Sequence, residues 1–307
     1  MSERFTHVLN VIAEDASALG EKLRGLGEAR WLSAGRAFDI AIAGDAQAML
    51  AEARSLATNA DINLVATAQR RKKLLVADMD STIIGCECLD ELADMAGLKA
   101  KVSAITERAM RGEIEFAGAL RERVALLKGL PLSALEQTYA TRVRLNPGAT
   151  ALVATMKAHG ARTCLVSGGF TYFTSRVAAL AGFDDQQANV LRDDGAVLTG
   201  RVAEPILGRE AKLAALEAEV ETLDISFADA LAVGDGANDL DMIERAGLGV
   251  AYHAKPVVAA AAAASIAHAD LTALLYLQGY RDAEIVWGTS AAVDPPPPRA
   301  GEVSHAR

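Results

Sequence analysis

The chain has 307 residues, of which 51% are hydrophobic and 23% are charged. This composition is that of a globular protein, and the length is sufficient for about two domains. The net charge of -9 disfavours nucleic acid and anionic membranes as partners, because an acidic surface repels both.

Cysteine and histidine usage indicates a reducing compartment and argues against zinc. The three cysteines, Cys86, Cys88 and Cys164, have no disulfide spacing, and the five histidines are scattered along the chain. Residues 1–10 lack the features of a signal peptide, and the longest apolar run, 257–267, is too short to span a membrane. We therefore expect a cytoplasmic protein with no membrane partner.

Residues 1–70 have the pattern of a small separate unit. Apolar periodicity predicts strands at 5–13, 28–34, 36–43 and 61–68 and helices at 18–26 and 46–57. The resulting β-α-β-β-α-β order is shared by small regulatory domains of the ACT type, which is an analogy of fold alone. A regulatory role and contacts within an oligomer are open for this unit. The basic run that follows, 70–73, is interpreted as a solvated linker.

After this run, short apolar strands alternate with helical segments. Strands are predicted at 73–77, 161–166, 230–233 and 248–252, and this alternation is typical of a parallel sheet covered by helices on both faces. Residues 89–145 are helical in pattern and predict a cap inserted after the first of these strands. The segment 188–208 predicts a hairpin, and the proline-rich tail, 291–307, is predicted to be disordered. The predicted fold is therefore α/β, with a small α+β domain at 1–70 and a core with its cap at 71–290.

Three predicted strand ends carry polar motifs. These motifs are Asp78-Met79-Asp80-Ser81-Thr82, Ser167-Gly168-Gly169 and Gly234-Asp235-Gly236-Ala237-Asn238-Asp239, with Lys212 between the last two. A parallel sheet gathers its strand ends at one edge, so these groups are expected to lie close together. Four clustered carboxylates cannot all ionise without a counter-ion, and oxygen ligands favour magnesium. The serine, the lysine and nearby backbone N–H groups suit the oxygens of a phosphate.

The first motif indicates the type of reaction. Asp78 and Asp80 are separated by one residue on an extended segment, so their side chains point the same way. One carboxylate is then placed to attack phosphorus, and the other to act as general acid and base. Asp235 and Asn238 have a simpler interpretation as caps of the helix that follows. We favour the catalytic interpretation because the motifs occur together.

These motifs, in this order, resemble those of the haloacid dehalogenase-like hydrolases. The helical segment is similar to that of the phosphoserine phosphatases through Glu87, Met110, Phe116 and the run 120–128. The resemblance spans about residues 74–280 and is weak or absent in the N-terminal unit. It implies a Rossmann-like core with a helical cap, and magnesium-dependent hydrolysis of O-phospho-L-serine through a phospho-aspartyl intermediate, the last step of serine biosynthesis.

The resemblance also implies roles for the residues that surround the metal. Asp78 would be the nucleophile and a magnesium ligand. Asp80 would donate the proton and bind magnesium through its backbone carbonyl, and Asp235 would be the other metal ligand. Asp239 would support these ligands without contacting the ion.

A further set of residues would bind the substrate. The phosphate or the aspartyl intermediate would be held by Ser167, Gly168, Lys212 and Asn238. Glu87 would pair with the substrate ammonium and Arg123 with its carboxylate. Both have other interpretations: Arg123 fits the rim of an apolar helix face, and Glu87 fits the favourable end of a helix dipole.

Alternative functions differ in how well the motifs exclude them. A dehalogenase does not need Asp80, and a P-type ATPase needs membrane helices, which the sequence lacks. A phosphatase or phosphomutase acting on another small phosphorylated metabolite would keep both aspartates and stays open. A catalytically inactive ligand-sensing protein also stays open, although the intact acid pair argues against it.

Overall fold

The computed structural model describes residues 6–42, 44–110 and 113–287. The tail at 291–307 and the side chain of Met110 lie outside the described residues. Within the part that is described, no helix has both the length and the apolar composition needed to cross a membrane.

An antiparallel sheet of four strands forms the N-terminal unit. Its strands are β1 (His7–Ile12), β2 (Ala29–Ser33), β3 (Ala37–Ala41) and β4 (Asp61–Ala66), and its helices are α1 (Ala16–Lys22) and α2 (Ala46–Leu56). The strand order is β2-β3-β1-β4. Leu9, Val11, Phe38 and Ile40 are fully buried in a core that belongs to this unit. The predicted order of strands and helices is confirmed. It could be predicted because the apolar residues of this core repeat with the two-residue period of a strand.

The C-terminal unit, residues 74–287, alternates strands with helices. Its strands are β5 (Leu74–Ala77), β6 (Arg162–Phe170), β7 (Asp185–Asn189), β8 (Leu191–Asp193), β9 (Leu198–Val202), β10 (Ala230–Gly234), β11 (Leu248–Tyr252) and β12 (Ala264–Ile266). Its helices are α3 (Cys88–Met95), α4 (Lys99–Met110), α5 (Phe116–Leu126), α6 (Leu132–Arg142), α7 (Ala149–Ala158), α8 (Thr171–Ala181), α9 (Arg209–Thr222), α10 (Leu240–Arg245), α11 (Pro256–Ala261) and α12 (Ala273–Leu277). Six strands form a parallel sheet in the order β12-β11-β10-β5-β6-β7, and β8 pairs with β9 as a separate antiparallel hairpin. The predicted α/β class and the predicted hairpin are confirmed.

The central strands of the parallel sheet are buried on both faces. Every residue of β5, β10 and β11 is buried. In β5, Leu75 and Ala77 belong to the apolar cluster on one face, whereas Leu74 and Val76 belong to the cluster on the other. A strand covered on both sides needs apolar residues at every position, which is why these strands form continuous apolar runs in the sequence.

The two edge strands, β7 and β12, were not predicted. The sequence of β7 is mostly polar, and only its last two residues are buried. The alanine-rich run 257–267 begins as a helix at Pro256 and then changes into β12, which pairs with β11. Alanine favours helix, so pairing with the neighbouring strand overrides the local propensity.

Four helices, α3 to α6, form an insertion between β5 and α7. The chain enters and leaves this insertion through two adjacent segments, which are joined by a bridge between Ile84 and Leu145. The Asn146 N–H donates to Ile83 O at 2.8 Å, which extends this pairing. The β8–β9 hairpin packs against α5. The insertion is therefore anchored next to the end of β5, where the motif that starts with Asp78 begins.

The N-terminal unit is bound to the C-terminal unit by apolar residues, among them Val8 and Val65, that join the large apolar cluster, and by polar side chains at the edge of the parallel sheet. Asn63 Nδ2 donates to Ser265 O at 3.1 Å, and Asn63 Oδ1 accepts from Ser265 N at 2.9 Å. The Asp61 carboxylate accepts from the N–H groups of residues 267–269 at distances between 2.7 and 3.2 Å. These side chains satisfy backbone groups on β12 and just after it, as a further strand would otherwise do.

The basic run at 70–73 belongs to the same interface, so its interpretation as a solvated linker is wrong for two of its residues. Arg70 binds the Asp39 carboxylate at 2.5 and 2.9 Å and also donates to the last two carbonyl oxygens of α12. Lys72 is 8% exposed, and its ammonium donates to two backbone carbonyl oxygens. A run of charges in a sequence gives no indication of partners that lie far along the chain.

Candidate active site

Three neighbouring strands carry polar motifs at the same edge of the parallel sheet. Asp78 follows β5, Asp235 follows β10, and Ser167 lies near the end of β6. Strand β5 lies between the other two, and the Asp78 N–H donates to Val233 O at 3.0 Å, which extends the regular pairing to this residue. The sheet therefore brings the three motifs together, as the sequence predicts.

A buried ammonium group connects two of the acidic residues. Lys212, in the first turn of α9, is 2% exposed, and its Nζ lies 2.6 Å from Asp78 Oδ1 and 2.5 Å from Asp239 Oδ1. Burial lowers the pKa of Lys212, but the two carboxylates raise it by more, so the ammonium stays charged. Burial, followed by the charge of Asp239, raises the pKa of Asp78 well above its usual value, and Lys212 offsets part of this rise. Two carboxylates with one ammonium favour a further cation nearby.

Two glycines make room for the acidic and amide side chains after β10. Asp239 is fully buried, and its Oδ2 accepts from Gly236 N at 3.0 Å. A Cβ on Gly234 would lie 2.3 Å from Asp239 Cγ, and a Cβ on Gly236 would lie 2.3 Å from Asn238 Oδ1. No side chain fits in either space, so glycine at both positions lets this turn fold back toward the lysine.

Asp80 lies two residues beyond Asp78 and binds a different set of donors. Its Oδ1 accepts from the Cys88 N–H at 3.0 Å, and its Oδ2 accepts from Ser167 Oγ at 3.2 Å. Burial, followed by the negative charge of Glu87, raises the pKa of Asp80 to about 6, against the lowering effect of these hydrogen bonds. A carboxyl group with a pKa in this range can both give and take a proton near neutral pH.

Three carboxylates converge in a way that suits a metal ion. One oxygen from each of Asp78, Asp235 and Asp239 lies within 4.8 Å of the other two. Burial, followed by the charges of Asp239 and Glu87, raises the pKa of Asp235 to about 6. A bound cation would relieve this repulsion, and a donor set of oxygen atoms fits a hard divalent ion. The Asp80 carboxylate is not in this cluster of described residues.

Near the end of β6, residues 167–169 depart from regular strand pairing. The Gly169 N–H donates to Ser167 Oγ at 2.8 Å. A Cβ on Gly169 would lie 2.9 Å from Asp80 Oδ2, and a Cβ on Gly168 would lie 3.2 Å from the ring of Phe116. The ring of the cap residue Phe116 therefore lies next to Gly168 in this irregular stretch.

Two cap residues of opposite charge border the site. Glu87 accepts from Ser81 Oγ at 2.7 Å, and Ser81 has a left-handed φ of 56° that turns the chain toward the cap. Arg123 is partly buried, and its one hydrogen bond among the described residues runs from Nε to Ala119 O at 3.3 Å. Burial lowers the pKa of Arg123, while the charges of Asp90 and Glu87 raise it. The Arg123 guanidinium therefore keeps most of its donors available for a ligand.

Two contributors to the site were not predicted. Cys88 contributes through its backbone N–H, and a backbone group leaves no signal in residue type. Asn189, at the end of β7, bonds to Gly168 O and to the backbone of Leu207. Like the predicted motifs, it is a polar residue at a strand end, but β7 itself is too polar to be recognised as a strand.

The arrangement of these strand ends agrees with a known family. Residues 75–244 match the haloacid dehalogenase-like hydrolases, and the chain belongs to this family. Individual relatives have about half of their aligned residues identical to those of this chain. The phosphoserine phosphatase of Polaromonas sp. is 50% identical over 210 residues, which are 67% of this chain and 89% of that protein. The phosphoserine phosphatase of Albidiferax ferrireducens is 49% identical over 211 residues, with the same two shares.

Solved structures show the same similarity. A probable phosphoserine phosphatase from Vibrio cholerae has a TM-score of 0.77 at 33% identity and covers 90% of this chain and 87% of its own. A hydrolase of the same superfamily from Salmonella enterica serovar Typhi has a TM-score of 0.81 at 29% identity, with shares of 89% and 98%. Both structures cover more of this chain than its C-terminal unit contains, so the similarity includes residues of the N-terminal unit. A substrate-bound phosphoserine phosphatase covers 67% of this chain and 98% of its own, with a TM-score of 0.62 at 37% identity.

Proposed function

We propose that this chain is a phosphoserine phosphatase, which hydrolyses O-phospho-L-serine to L-serine and phosphate as the last step of serine biosynthesis. The observation that carries the proposal is the contact of 2.6 Å between Asp78 and the buried Lys212, with the Asp80 carboxyl group beside it. The relatives at 49 and 50% identity are phosphoserine phosphatases, which supports this substrate over other phosphomonoesters.

The proposed reaction has two displacements at phosphorus. The Asp78 carboxylate attacks, the bond between phosphorus and the serine oxygen breaks, and Asp80 gives its proton to that oxygen, so that L-serine leaves. An aspartyl phosphate remains on Asp78. Water then attacks phosphorus, Asp80 accepts its proton, and the bond to the Asp78 oxygen breaks to release phosphate.

The surroundings of the two aspartates suit these different roles. Burial and the charge of Asp239 raise the pKa of Asp78, and Lys212 offsets part of this rise, which favours the ionised form that a nucleophile needs; a bound cation would favour it further. Asp80 has no ammonium partner among the described residues, and burial with the charge of Glu87 brings its pKa to about 6. Asp78 thus has an ammonium partner, which suits a nucleophile, whereas Asp80 has neutral donors, which suits a group that gives and takes a proton.

We assign the cation as Mg²⁺. The carboxylates of Asp78 and Asp235 and the backbone carbonyl of Asp80 would hold it, and Asp239 would support the site through its bond to Lys212. When bound, the ion offsets the negative charge of the carboxylates and of the phosphate and polarises the phosphoryl group. The convergence of oxygen ligands and the raised pKa of Asp235 support this assignment.

Four groups are proposed to hold the phosphate oxygens: Ser167, Gly168, Lys212 and Asn238. Lys212 supplies positive charge, and the others supply neutral donors with fixed directions. The absence of a side chain at Gly168 lets a ligand approach the backbone N–H closely, beneath the ring of Phe116.

The two ends of the amino acid are proposed to bind the two charged cap residues. Glu87 would accept the substrate ammonium, and Arg123 would bind the substrate carboxylate through its planar fork of donors. Glu87 immediately precedes α3, and Arg123 lies in α5. The cap therefore selects a zwitterion, whereas the core needs only a phosphate.

A substrate panel tests the function directly. Phosphate release from phosphoserine, phosphoethanolamine, 3-phosphoglycerate and sugar phosphates is measured with Mg²⁺ present and after chelation. We expect phosphoserine to be hydrolysed fastest, with activity lost on chelation and restored by Mg²⁺ but poorly by Ca²⁺, which relaxes the coordination geometry. Preferred hydrolysis of another ester, or an isomeric sugar phosphate as product, would refute the assignment.

The cytoplasmic location and an oligomer formed through the N-terminal unit remain part of this proposal. The cysteines in the described part of the chain are free thiols, which fits a reducing compartment. A regulatory role for the N-terminal unit is testable by its effect on phosphoserine hydrolysis when candidate metabolites are added.

A further inference from the structure

Asn189, at the end of the edge strand β7, joins two loops: the irregular stretch 167–169 within β6, and residues 203–208 between β9 and α9. The residue is 2% exposed. Its Nδ2 donates to Gly168 O at 2.9 Å and to Leu207 O at 3.1 Å, and its Oδ1 accepts from Leu207 N at 2.8 Å. Both hydrogens and the oxygen of the amide are used, so a side chain that only donates or only accepts would leave backbone groups unpaired.

Both loops carry groups that are assigned to the phosphate. Gly168 is itself one of these groups, and Leu207 precedes Gly208, the residue that caps the N-terminus of α9. Lys212 follows in the first turn of that helix. A Cβ on Gly168 would lie 3.2 Å from the Phe116 ring, and a Cβ on Gly208 would lie 3.5 Å from it. The two loops therefore meet beneath the same aromatic ring.

The regular sheet does not fix the first of these loops. The pairing of β6 with β7 shifts register between Val166 and Phe170, so residues 167–169 lie outside the regular ladder. The bond from Asn189 to Gly168 O ties this irregular stretch to the neighbouring strand. A side chain thus fixes the loop where main-chain pairing is interrupted.

We propose that Asn189 is a positioning residue that sets the spacing between the loop 167–169 and the start of α9. It thereby fixes Lys212 relative to Ser167, and this inference rests on the proposed function. The hydrogen bonds of Asn189 among the described residues go to the backbone of these loops, so it acts through them and not on the substrate. The position of Lys212 matters because its ammonium already lies within 2.6 Å of Asp78, and a shift of about 1 Å near reacting groups can lower a rate 10²-fold.

The test compares Asn189 with Asn63, which is 1% exposed and also bridges backbone groups, but on the interface with the N-terminal unit. Asn189→Ala and Asn63→Ala are prepared in the full chain, together with Asn189→Ser, which keeps one donor and one acceptor. For each variant, the Tm, the kcat and KM for phosphoserine, and the Ki of inorganic phosphate with Mg²⁺ are measured.

We expect Asn189→Ala to lower kcat by about 10²-fold and to raise the Ki of inorganic phosphate. Asn189→Ser should lose less of both. Asn63→Ala should lower the Tm to a similar extent but keep the kcat and Ki of the unsubstituted chain. A purely structural role of Asn189 would change the Tm without changing the Ki.

The proposal is overturned if Asn189→Ala keeps the kcat and Ki of the unsubstituted chain, or loses no more than Asn63→Ala. If Asn189→Ala does not fold, Asn189→Ser decides the question, because an unchanged Ki with a lowered Tm is then the contrary result. All variants are also assayed with p-nitrophenyl phosphate. An unsubstituted chain that cleaves this ester but not phosphoserine would refute the substrate assignment alone, and the Asn189 comparison would continue with the ester.

Discussion

Lys212 has almost no contact with water, and two carboxylates share its charge. Removing an ion from water costs several kcal/mol, and ion pairs offset this only while the partners stay in place. A substitution at one of these residues therefore changes the others. Substitutions that keep the shape of the side chain are the most informative at this site.

Asp78→Asn keeps the shape of the nucleophile but cannot form an aspartyl phosphate. We expect a folded protein whose kcat for phosphoserine falls on the order of 10³-fold or more. Circular dichroism and phosphate release check the fold and the rate. Asp15→Asn, an exposed aspartate with no side-chain bond to its helix, is the matched control. Turnover at the unsubstituted rate in Asp78→Asn would exclude the covalent route.

Arg123→Ala tests the recognition of the substrate carboxylate. The loss of kcat/KM should be severe for phosphoserine and small for phosphoethanolamine, because only phosphoserine has a carboxylate that would be left unpaired. An unpaired charge of this kind costs roughly 2–5 kcal/mol. The ratio of kcat/KM for the two esters is the measurement. Arg121→Ala is the control on the same helix, since Arg121 is exposed and pairs with Glu204 at 2.8 Å. Equal losses on both esters would make Arg123 structural.

Glu87→Gln tests the origin of the raised pKa of Asp80. Burial is the larger cause and stays, but the negative charge of Glu87 is removed, so the pKa of Asp80 should move below about 6. Protonated Asp80 donates to the leaving oxygen, so kcat declines as pH rises through this pKa, and the decline should begin at lower pH in the variant. The pH profile is measured with 3-phosphoglycerate, which has no ammonium for Glu87.

A control for this profile keeps the change in net charge but places it elsewhere. Glu136→Gln removes an exposed carboxylate from α6. Its profile should coincide with that of the unsubstituted chain. A shift of the same size in both variants would mean that the effect is not local to the site.

The groups at the ends of apolar inner strands were predictable, whereas a side chain on a polar edge strand and a backbone N–H group were not. Asp78, Ser167 and Asp235 follow or end apolar strands, so the parallel sheet places them at one edge whatever the details of the loops. Asn189 ends a polar edge strand that has no apolar signal. The Cys88 N–H depends on where α3 begins, which side-chain type does not specify.

At the scale of the elements, burial decides which strands a sequence reveals. The inner strands β5, β10 and β11 are covered on both faces and are continuous apolar runs. The edge strands β7 and β12 adopt their conformation by pairing with a neighbouring strand, and neither has the apolar sequence pattern of a strand. The ends of the inner strands are thus the best-determined part of the site, and the outer loops depend on tertiary contacts.

Gly234→Ala tests how closely the end of β10 fits the buried acid behind it. The new Cβ would lie 2.3 Å from Asp239 Cγ, so the Asp239 carboxylate must move away from Lys212. We expect a loss of stability of about 1–3 kcal/mol together with a large loss of activity. Denaturant unfolding and phosphate release measure the two effects.

Gly118→Ala is the control for the added methyl group. Gly118 lies in α5 with nothing near its Cβ position, so alanine should be neutral or slightly stabilising there. If Gly234→Ala behaves like Gly118→Ala in both assays, the fit at β10 is looser than the geometry indicates.

At the scale of the whole molecule, two sheets of different type share one boundary, which combines buried apolar residues with polar contacts. Asp61 and Asn63 on β4 satisfy backbone groups on and after β12, and Arg70 bridges Asp39 and the end of α12. The order of elements in the N-terminal unit and of the inner strands in the C-terminal unit followed from local periodicity. The polar contacts of the boundary did not, because they join charged or amide residues to partners that lie far along the chain.

A chain that begins at residue 71 should keep the site but lose part of its stability. No residue assigned to catalysis lies in the N-terminal unit, so kcat for phosphoserine should be retained. The backbone groups at 265–269 lose their partners, so the Tm should fall by about 2–4 °C for each kcal/mol lost, and the free edge of β12 should promote association. Light scattering and calorimetry measure these effects. An inactive but folded fragment would show that the N-terminal unit contributes to the site.

The boundary between the two units also has a consequence for how the chain is made. Asn63 and Arg70 bind the backbone of Ser265 and Leu277, which follow them by 202 and 207 residues. Synthesis at about 5–20 residues per second leaves the N-terminal unit waiting roughly 10–40 s for those partners. During this interval β4 presents a carboxylate and an amide to water, which satisfies both. A strand edge of this kind resists pairing with other nascent chains, so polar side chains at this edge are suited to a unit that emerges from the ribosome long before its partner.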